Sequence, residues 1–287
     1  MVKLRSLVCH KGIETYLICL KSLKDFCRDP IEMVLHNDGS LDECDKTRFI
    51  ETLGPVEFVE RETADEIILE RLKNYKHASA LRKNSIWGLE LFDYHLFDES
   101  ETYGFWCDAD VKFIRPFSGL FTEEAAKGKS VFISDAVWQS YSIRPWHLMD
   151  DRCLNVISGM NLGLNIMDKR FYDLDYIDWF LGQDDYYAIP NWIVPTCYAA
   201  LGARSNAYII DNTQLVNLYP SAKITQQTFA AHFLSSYREQ WKNELLKDNS
   251  GSMDLEPLSV RFERAKVCSP LELLRSQIER KINNLRN

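Results

Sequence analysis

The sequence lacks the paired cysteines that mark zinc sites and thiol redox centres. Its eight cysteines are scattered over 287 residues, and none forms a Cys-x-x-Cys pair. Several of them fall on apolar periodic faces, which favours buried free thiols in a reducing compartment. The cysteine pattern therefore argues against a disulfide-stapled secreted domain.

Long apolar runs are also missing. No stretch approaches the roughly 20 apolar residues that a membrane-spanning helix requires. Lys3 and Arg5 interrupt the first short apolar run, so we predict no signal peptide. We therefore expect a cytoplasmic protein, or one that lies peripherally on the inner face of a membrane.

An excess of positive charge is the third absent feature. The formal net charge is −8 at pH 7, which argues against general nucleic-acid binding because that function needs a basic surface. A phosphate-bearing ligand would then need local cations from the protein or from a metal. The 46% hydrophobic and 26% charged content is that of an ordinary globular protein. The length fits one large α/β domain or two small ones.

The first 36 residues predict a strand, a helix and a second strand. Residues 4–9 and 31–36 are predicted to be strands, and apolar residues between 13 and 27 repeat with helical spacing. Such a unit implies a parallel sheet with a right-handed crossover. Ligands bind outside the carboxyl ends of the strands in these sheets. Asp38, in Asn37-Asp38-Gly39-Ser40, occupies that place, with a simple turn at Gly39 as the alternative.

Two acids follow an aromatic strand at residues 103–107. Asp108 and Asp110 are two residues apart, so on an extended segment their side chains point to the same side. They could converge on one hard cation, Mg²⁺ or Mn²⁺, at the end of the sheet. The spacing alone is a weak motif, because Asp173-Leu174-Asp175 repeats it where a helix start is predicted.

Further candidates lie before and after these acids. Thr63 and Glu66 have the spacing of a capping box that opens a helix. Arg82 and Lys83 lie near the start of a helix predicted over 79–92 and could reach a diphosphate or sit on a solvated face. Asp135 ends a strand predicted at 131–134.

Residues 136–155 have no period, and a long loop of that kind is usually functional or mobile. Glycines and asparagines interrupt a strand at 159–167, which suggests close backbone approach to a ligand. Asp184 and Asp185 open a helix predicted to run to about 201, and the helix dipole alone could explain them.

The C-terminal part differs in composition. Residues 248–252 form the clearest linker, and residues 261–287 have the pattern of a basic amphipathic helix. Three roles stay open for this helix: packing on the domain, pairing with a partner, or lying on an anionic membrane. The predicted organisation is a domain at 1–245, followed at 246–287 by the linker and this helix.

The ordered series of features over residues 1–245 resembles glycosyltransferases of the GT-A fold. These enzymes bind nucleotide sugars on a Rossmann-like mixed, mainly parallel sheet flanked by helices, and they carry an Asp-x-Asp metal motif. The resemblance implies that Asp108 and Asp110 clamp the donor diphosphate through a metal. It also implies that Asp38 holds the base or ribose, and that Arg82 or Lys83 lies near the diphosphate.

The later segments are similar to the subgroup that has a C-terminal metal histidine. Ala231-His232-Phe233 matches its histidine segment, so His232 is the implied third metal ligand, and an imidazole favours Mn²⁺ over Mg²⁺. Asn161 and Gly163 match the sugar-site strand. Asp135 matches an acid that touches donor hydroxyls, and Gln183-Asp184 matches an element beside the transferred sugar.

Two segments depart from the family pattern. Lys-Pro-Trp is absent after the histidine, where Arg238 or Lys242 would have to supply the cation. Asn37-Asp38-Gly39-Ser40 is more typical of inverting enzymes, whereas the histidine subgroup has many retaining members. If the enzyme inverts, Asp184 or Asp185 is the candidate general base; if it retains, the same element with Gln183 contacts the sugar.

The expected function is metal-dependent transfer of a sugar from a nucleoside-diphosphate sugar, a UDP-sugar above all, to a hydroxyl of a glycan, lipid or protein. The alternative is a non-catalytic nucleotide-sugar binding or scaffold protein on the same fold. An enzyme that makes nucleotide sugars is disfavoured, since His10-Lys11-Gly12 is a poor phosphate-cradling loop.

Overall fold

The computed structural model describes residues 1–135, 154–183 and 190–286. The loop predicted at 136–155 therefore lies outside the described residues as far as residue 153. Among the described residues, no helix combines the length and the apolar character that crossing a membrane would take.

Strands and helices alternate over residues 2–71. The helices are α1 (Ile13–Phe26), α2 (Glu43–Leu53), α3 (Arg61–Arg71), α4 (Lys76–Asn84), α5 (Ile86–Leu96), α6 (Glu123–Ala126), α7 (Leu174–Leu181), α8 (Pro190–Arg204), α9 (Lys242–Leu246) and α10 (Pro270–Arg286). The strands are β1 (Val2–Val8), β2 (Ile31–Asn37), β3 (Glu57–Val59), β4 (Tyr103–Cys107), β5 (Val111–Phe113), β6 (Phe117–Ser118), β7 (Ser130–Ser134), β8 (Val156–Ile157), β9 (Met160–Asp168), β10 (Ala207–Ile210), β11 (Leu215–Asn217), β12 (Ala230–His232), β13 (Leu258–Ser259), β14 (Phe262–Arg264) and β15 (Val267–Cys268).

One eight-stranded sheet has the order β14-β10-β7-β9-β4-β1-β2-β3. The pairs β3–β2, β2–β1, β1–β4 and β7–β10 are parallel. The pairs β4–β9, β9–β7 and β10–β14 are antiparallel. The predicted mixed, mainly parallel α/β sheet is confirmed.

The predicted strand–helix–strand unit is β1-α1-β2. Leu17, Leu20 and Leu23 of α1 are buried with helical spacing, so one face of the helix packs on the sheet. Val8 is in register with Asn37, which places the carboxyl ends of β1 and β2 at one edge. Because β4 also runs parallel to β1, it ends at that same edge.

A second, three-stranded sheet has the order β11-β12-β5. The chain leaves the main sheet after β4, crosses the two motif acids and enters β5, which pairs antiparallel with β12. This pairing brings residues about 120 positions apart in the sequence against the end of β4. The small sheet therefore closes the carboxyl edge of the large one.

Three local predictions are wrong in detail. The helix predicted over 79–92 is two helices, because Ser85 ends α4 and caps α5 through its hydroxyl. The capping box is not at Thr63: α3 begins earlier, after Glu60, whereas Asp42 and Asp45 form a reciprocal capping box at α2. Residues 258–268, expected to be linker and helix, form three short strands, and β14 extends the main sheet.

A buried ion pair joins the helices beside the sheet. Arg82 of α4 is fully buried, and its Nε and Nη2 donate to the two carboxylate oxygens of Asp93 in α5 at 2.6 and 2.9 Å. Arg82 Nη1 also lies 2.7 Å from Asp65 of α3. A bidentate pair of this kind fixes the relative orientation of the helices.

We expect Arg82→Met to lower the free energy of unfolding by about 3–5 kcal/mol, because it leaves the buried Asp93 carboxylate without its cation. Lys83→Met is the matched control: Lys83 is the next residue and is exposed, so its effect should stay within about 0.5 kcal/mol. Urea unfolding followed by circular dichroism measures both. Equal stability of the two variants would contradict the structural role of Arg82.

Candidate functional site

The turn between β4 and β5 presents Asp108 and Asp110. The amide of Asp108 donates to the carbonyl of Gly163 on the neighbouring β9 at 2.8 Å. The indole Nε1–H of Trp106 donates to Asp108 Oδ1 at 2.8 Å. Asp108 is therefore held through its backbone amide and through Oδ1, whereas Oδ2 takes no part in these two hydrogen bonds.

Strand pairing brings His232 to the two acids. His232 of β12 is in register with Val111 of β5, and the amide of Phe233 donates to the carbonyl of Asp110 at 3.0 Å. His232 Nε2 consequently lies 3.3 Å from Asp110 Oδ1 and 3.8 Å from Asp108 Oδ2. The three residues predicted as metal ligands converge.

A hydrogen bond on the far side of the ring sets the state of His232. Its Nδ1 lies 3.0 Å from Asn217 Oδ1. The amide of Asn217 cannot face the other way, because its Nδ2 donates to the carbonyl of Ser134 at 2.8 Å. An acceptor oxygen at Asn217 requires that Nδ1 carry the proton, so a neutral His232 presents the Nε2 lone pair to the acids.

This donor set fits a divalent cation. One ligand atom from each of Asp108, Asp110 and His232 lies within 4.8 Å of the others. Neighbouring ligands on a six-coordinate ion are about 3 Å apart, close to the two distances to Nε2. Among the described residues, no hydrogen-bond donor satisfies Asp110 Oδ1, although this atom is buried. A cation between these lone pairs would satisfy them, and the mixed oxygen and nitrogen set suits Mn²⁺.

The charges of the three residues shift one another's protonation. Burial raises the pKa of Asp108 to about 6, and the adjacent Asp110 carboxylate acts in the same direction. Burial also acts to raise the pKa of Asp110, but His232 and Arg238 outweigh it and hold that pKa below its ordinary value. Burial lowers the pKa of His232, whereas Asp110 and Asp108 raise it, and the net pKa lies above its ordinary value.

The glycine of the Asn161-x-Gly163 segment has a packing role at this site. A Cβ on Gly163 would lie 2.5–3.0 Å from the ring atoms Nδ1, Cε1 and Cγ of His232. The structure thus places the imidazole against this glycine, and close approach of a ligand to this segment stays a prediction. Gly163 also donates its amide to Asn161 Oδ1 at 2.8 Å, which holds the asparagine at the same edge.

Asp135 forms a second polar group next to the metal ligands. It accepts hydrogen bonds from Tyr219 Oη at 2.8 Å and from Asn161 Nδ2 at 3.3 Å. A cavity of about 290 Å³ opens beside Asp135, Asn217 and Tyr219, with Lys223 on its wall. Because Asn217 also bonds His232, this cavity shares a wall with the candidate metal centre.

Asp38 lies at the expected strand end but in a turn. Its Oδ1 accepts from the amide and the hydroxyl of Ser40 at 2.9 and 2.6 Å, and Gly39 has a φ of +99°. The turn-forming role is thus present. Asp38 follows β2, two strands from β4, and no described contact joins it to the metal ligands. Its role toward a base or ribose stays a prediction.

The two basic residues predicted near the diphosphate have different surroundings. Arg82 is fully buried, and its guanidinium pairs with Asp93 and Asp65. These ion pairs explain the arginine by its role in helix packing, without a contact to a diphosphate. Lys83 is exposed near the end of α4. Among the described residues, an arginine does bond the motif: Arg238 Nη2 donates to Asp110 Oδ2 at 2.7 Å.

The predicted sugar-side element is described only in part. Gln183 is half-buried, and its Nε2 donates to the carbonyl of Trp179 at 2.9 Å. Asp184 and Asp185 lie outside the described residues. The roles of all three stay predictions.

Two residues at the site carry no motif that sequence reasoning could have used. Asn217 is brought opposite His232 by the parallel register of β11 and β12. Glu90 of α5 lies one turn before Tyr94, which stacks on Trp106 at 4.5 Å. Burial raises the pKa of Glu90 well above its ordinary value, and Asp108 and Asp110 add to that. Glu90 is thus a third acid beside the motif.

Comparison with known proteins identifies the fold. No protein-family model and no curated protein matches the sequence. Among solved structures, mouse xyloside xylosyltransferase 1 in its apo form superposes with a TM-score of 0.57 at 11% identity, over 82% of this chain and 99% of that chain. The galactosyltransferase LgtC in complex with donor and acceptor sugar analogues superposes with a TM-score of 0.52 at 9% identity, over 89% and 97% of the two chains. The chain has the GT-A fold.

We expect Gly163→Ala to weaken Mn²⁺ binding at least about tenfold, because the added Cβ displaces the His232 ring from the two carboxylates. Gly251→Ala is the control, since nothing lies within 4 Å of a Cβ at that position. Titration followed by the electron paramagnetic resonance signal of free Mn²⁺ measures both affinities. Unchanged binding by Gly163→Ala would remove His232 from the ligand set.

The affinity for Mn²⁺ should fall as the pH is lowered through 6. Asp108 has a pKa of about 6, and the pKa of His232 lies above its ordinary value, so both residues gain protons as the pH falls from 8 to 5.5, and the metal must displace these protons. Each displaced proton costs about tenfold in affinity per pH unit. Titrations between pH 5.5 and 8 should show a steep rise and then a plateau. An affinity that is constant over this range would contradict the assigned ligands.

Proposed function

We propose that this protein is a metal-dependent glycosyltransferase. In this proposal it moves a sugar from a nucleoside-diphosphate sugar, a UDP-sugar in the first instance, to a hydroxyl of a glycan, lipid or protein. One observation carries the proposal: Asp108, Asp110 and His232 converge at the carboxyl edge of a GT-A sheet. Ligands bind at this edge in open α/β sheets.

Each described residue has a chemical task in this proposal. Asp108, Asp110 and His232 would hold the metal, and Asn217 keeps the imidazole of His232 in the tautomer that could bind it. When bound, Mn²⁺ would neutralise the charge that develops on the departing diphosphate. Asp135 and Asn161 offer polar atoms beside the metal to sugar hydroxyls, and Asp38 offers its carboxylate to the base or ribose.

Chemistry at the anomeric carbon is assigned to the segment after α7. In an inverting reaction, Asp184 or Asp185 would remove the proton from the acceptor hydroxyl. In a retaining reaction, Gln183 would contact the transferred sugar, and its amide is already oriented by the Trp179 carbonyl. NMR of the first-formed product distinguishes the two by its anomeric configuration.

Peripheral contact with a membrane is the proposed role of α10. Leu271, Ile278 and Ile282 have 58%, 49% and 43% of their surface exposed. Exposed apolar residues on a helix that also carries arginines suit an anionic lipid surface. Co-sedimentation with vesicles that contain anionic lipid, compared with neutral vesicles, tests this contact.

We expect Asp110→Asn to lower kcat/KM for sugar transfer about a thousandfold, because the amide replaces a charged metal ligand. Asp173→Asn is the matched control in the second Asp-x-Asp copy, where Asp173 caps α7 and an asparagine can still cap. A thermal-shift screen of nucleotide sugars with Mn²⁺ selects the donor. Release of nucleoside diphosphate then measures turnover.

Three outcomes would count against the proposal. Full turnover by Asp110→Asn would show that Asp110 is not a ligand of a catalytic metal. Tight nucleotide binding without any transfer or donor hydrolysis would identify a non-catalytic nucleotide-sugar binding protein. Absence of any nucleotide-sugar binding in the screen would exclude both functions.

A further inference from the structure

Arg238 occupies one oxygen of the candidate metal ligand Asp110. It lies in the 3-10 turn Ser235–Trp241 that follows β12. Its Nη2 donates to Asp110 Oδ2 at 2.7 Å and lies 3.3 Å from the carbonyl of Phe233. The carboxylate of Asp110 is thus divided: Oδ1 faces His232, and Oδ2 faces a cation that belongs to the protein.

In this position, the positive charge of Arg238 opposes binding of a metal ion to Asp110. The guanidinium compensates one of the two acids while no other cation is bound, and a divalent ion at the same carboxylate would lie close to its positive charge. Arginine is always protonated in proteins, so Arg238 cannot relieve that repulsion by losing a proton. It can relieve it by moving.

The present position of Arg238 also leaves a donor unused. Among the described residues, Arg238 Nε is buried and has no hydrogen-bond acceptor, which is a costly state for a charged group. The side chain is 29% exposed and lies in a short 3-10 turn, so it is not enclosed by the core. A diphosphate next to the metal would offer this planar fork several oxygens at once.

We infer that Arg238 couples metal binding to diphosphate binding. In the nucleotide-free protein it is the counter-ion of Asp110 and opposes the metal. When metal and nucleotide are both bound, it leaves Asp110 Oδ2 and donates to the diphosphate. The inference rests on the proposed function, and it makes a nucleoside diphosphate raise the affinity for Mn²⁺, with the reciprocal effect required by linkage.

The test uses two affinities that must change in opposite directions. In Arg238→Gln, Mn²⁺ binding to the nucleotide-free protein should become about fivefold tighter, because the competing charge is gone. With Mn²⁺ saturating, binding of UDP, with GDP measured in parallel, should become about tenfold weaker, because two charge-assisted hydrogen bonds are lost. Electron paramagnetic resonance measures the Mn²⁺ affinity, and calorimetry measures the nucleotide affinity.

Lys247→Gln is the matched control. It also removes one positive charge from the same part of the chain, but Lys247 pairs with Glu244 and has no described contact with Asp110. Neither affinity should change. Arg238→Lys, which keeps the charge but loses the fork, should leave Mn²⁺ binding near the wild-type value and still weaken nucleotide binding.

The outcomes separate this inference from the proposed function. If Arg238→Gln leaves the Mn²⁺ affinity unchanged or lowers it, the competition is wrong. If Arg238→Gln leaves the nucleotide affinity unchanged, Arg238 does not donate to the diphosphate. If the wild-type protein binds Mn²⁺ and nucleotide with the expected coupling but transfers no sugar, the inference stands and the function fails. If the wild-type protein binds no Mn²⁺, both fail.

Discussion

The hydrogen bond between His232 and Asn217 is the interaction on which the site depends. Because the Asn217 amide is itself held by the Ser134 carbonyl at the end of β7, the imidazole is tied to the main sheet although it belongs to the small one. The Nε2 lone pair consequently faces the acids in a fixed direction. The two hydrogen bonds, between Ser134 and Asn217 and between Asn217 and His232, thus fix the orientation of His232 Nε2 relative to the main sheet.

The same small volume concentrates negative charge. Asp108 and Asp110 lie within reach of a single ion, and burial with these two acids raises the pKa of Glu90. Arg238 compensates the charge only in part. A cluster of buried acids with too few cations does not stabilise a fold. Such clusters are typical of sites where a bound ligand supplies the missing positive charge.

Local patterns predicted the elements whose signals are short-range. The apolar period of α1, the strands around it and the strand before Asp108 were predicted correctly, since each depends on neighbours within a few residues. The convergence of His232 with Asp110 was expected from family resemblance alone. Composition and spacing contain no information about the β5–β12 pairing that produces it.

The errors have the opposite character. Arg82 looked like a free basic residue because its partner, Asp93, lies in another helix, and only the packing of α4 on α5 brings them together. Gly163 was expected to mark close backbone approach to a ligand, whereas the group that the structure places against it is the His232 side chain, about 70 residues later in the sequence. Strands β13–β15 are too short to show an alternating pattern, so pairing with distant strands decides their conformation.

The contact between Trp106 and Asp108 has a spectroscopic consequence. The indole is buried, stacks on Tyr94 at 4.5 Å and donates to the first acid of the motif. Any change in charge at Asp108 therefore acts directly on the ring's electric field, while the surrounding packing keeps solvent away from it. Trp106 is therefore a fluorophore beside the candidate metal site, and its emission should respond to the charge of that carboxylate.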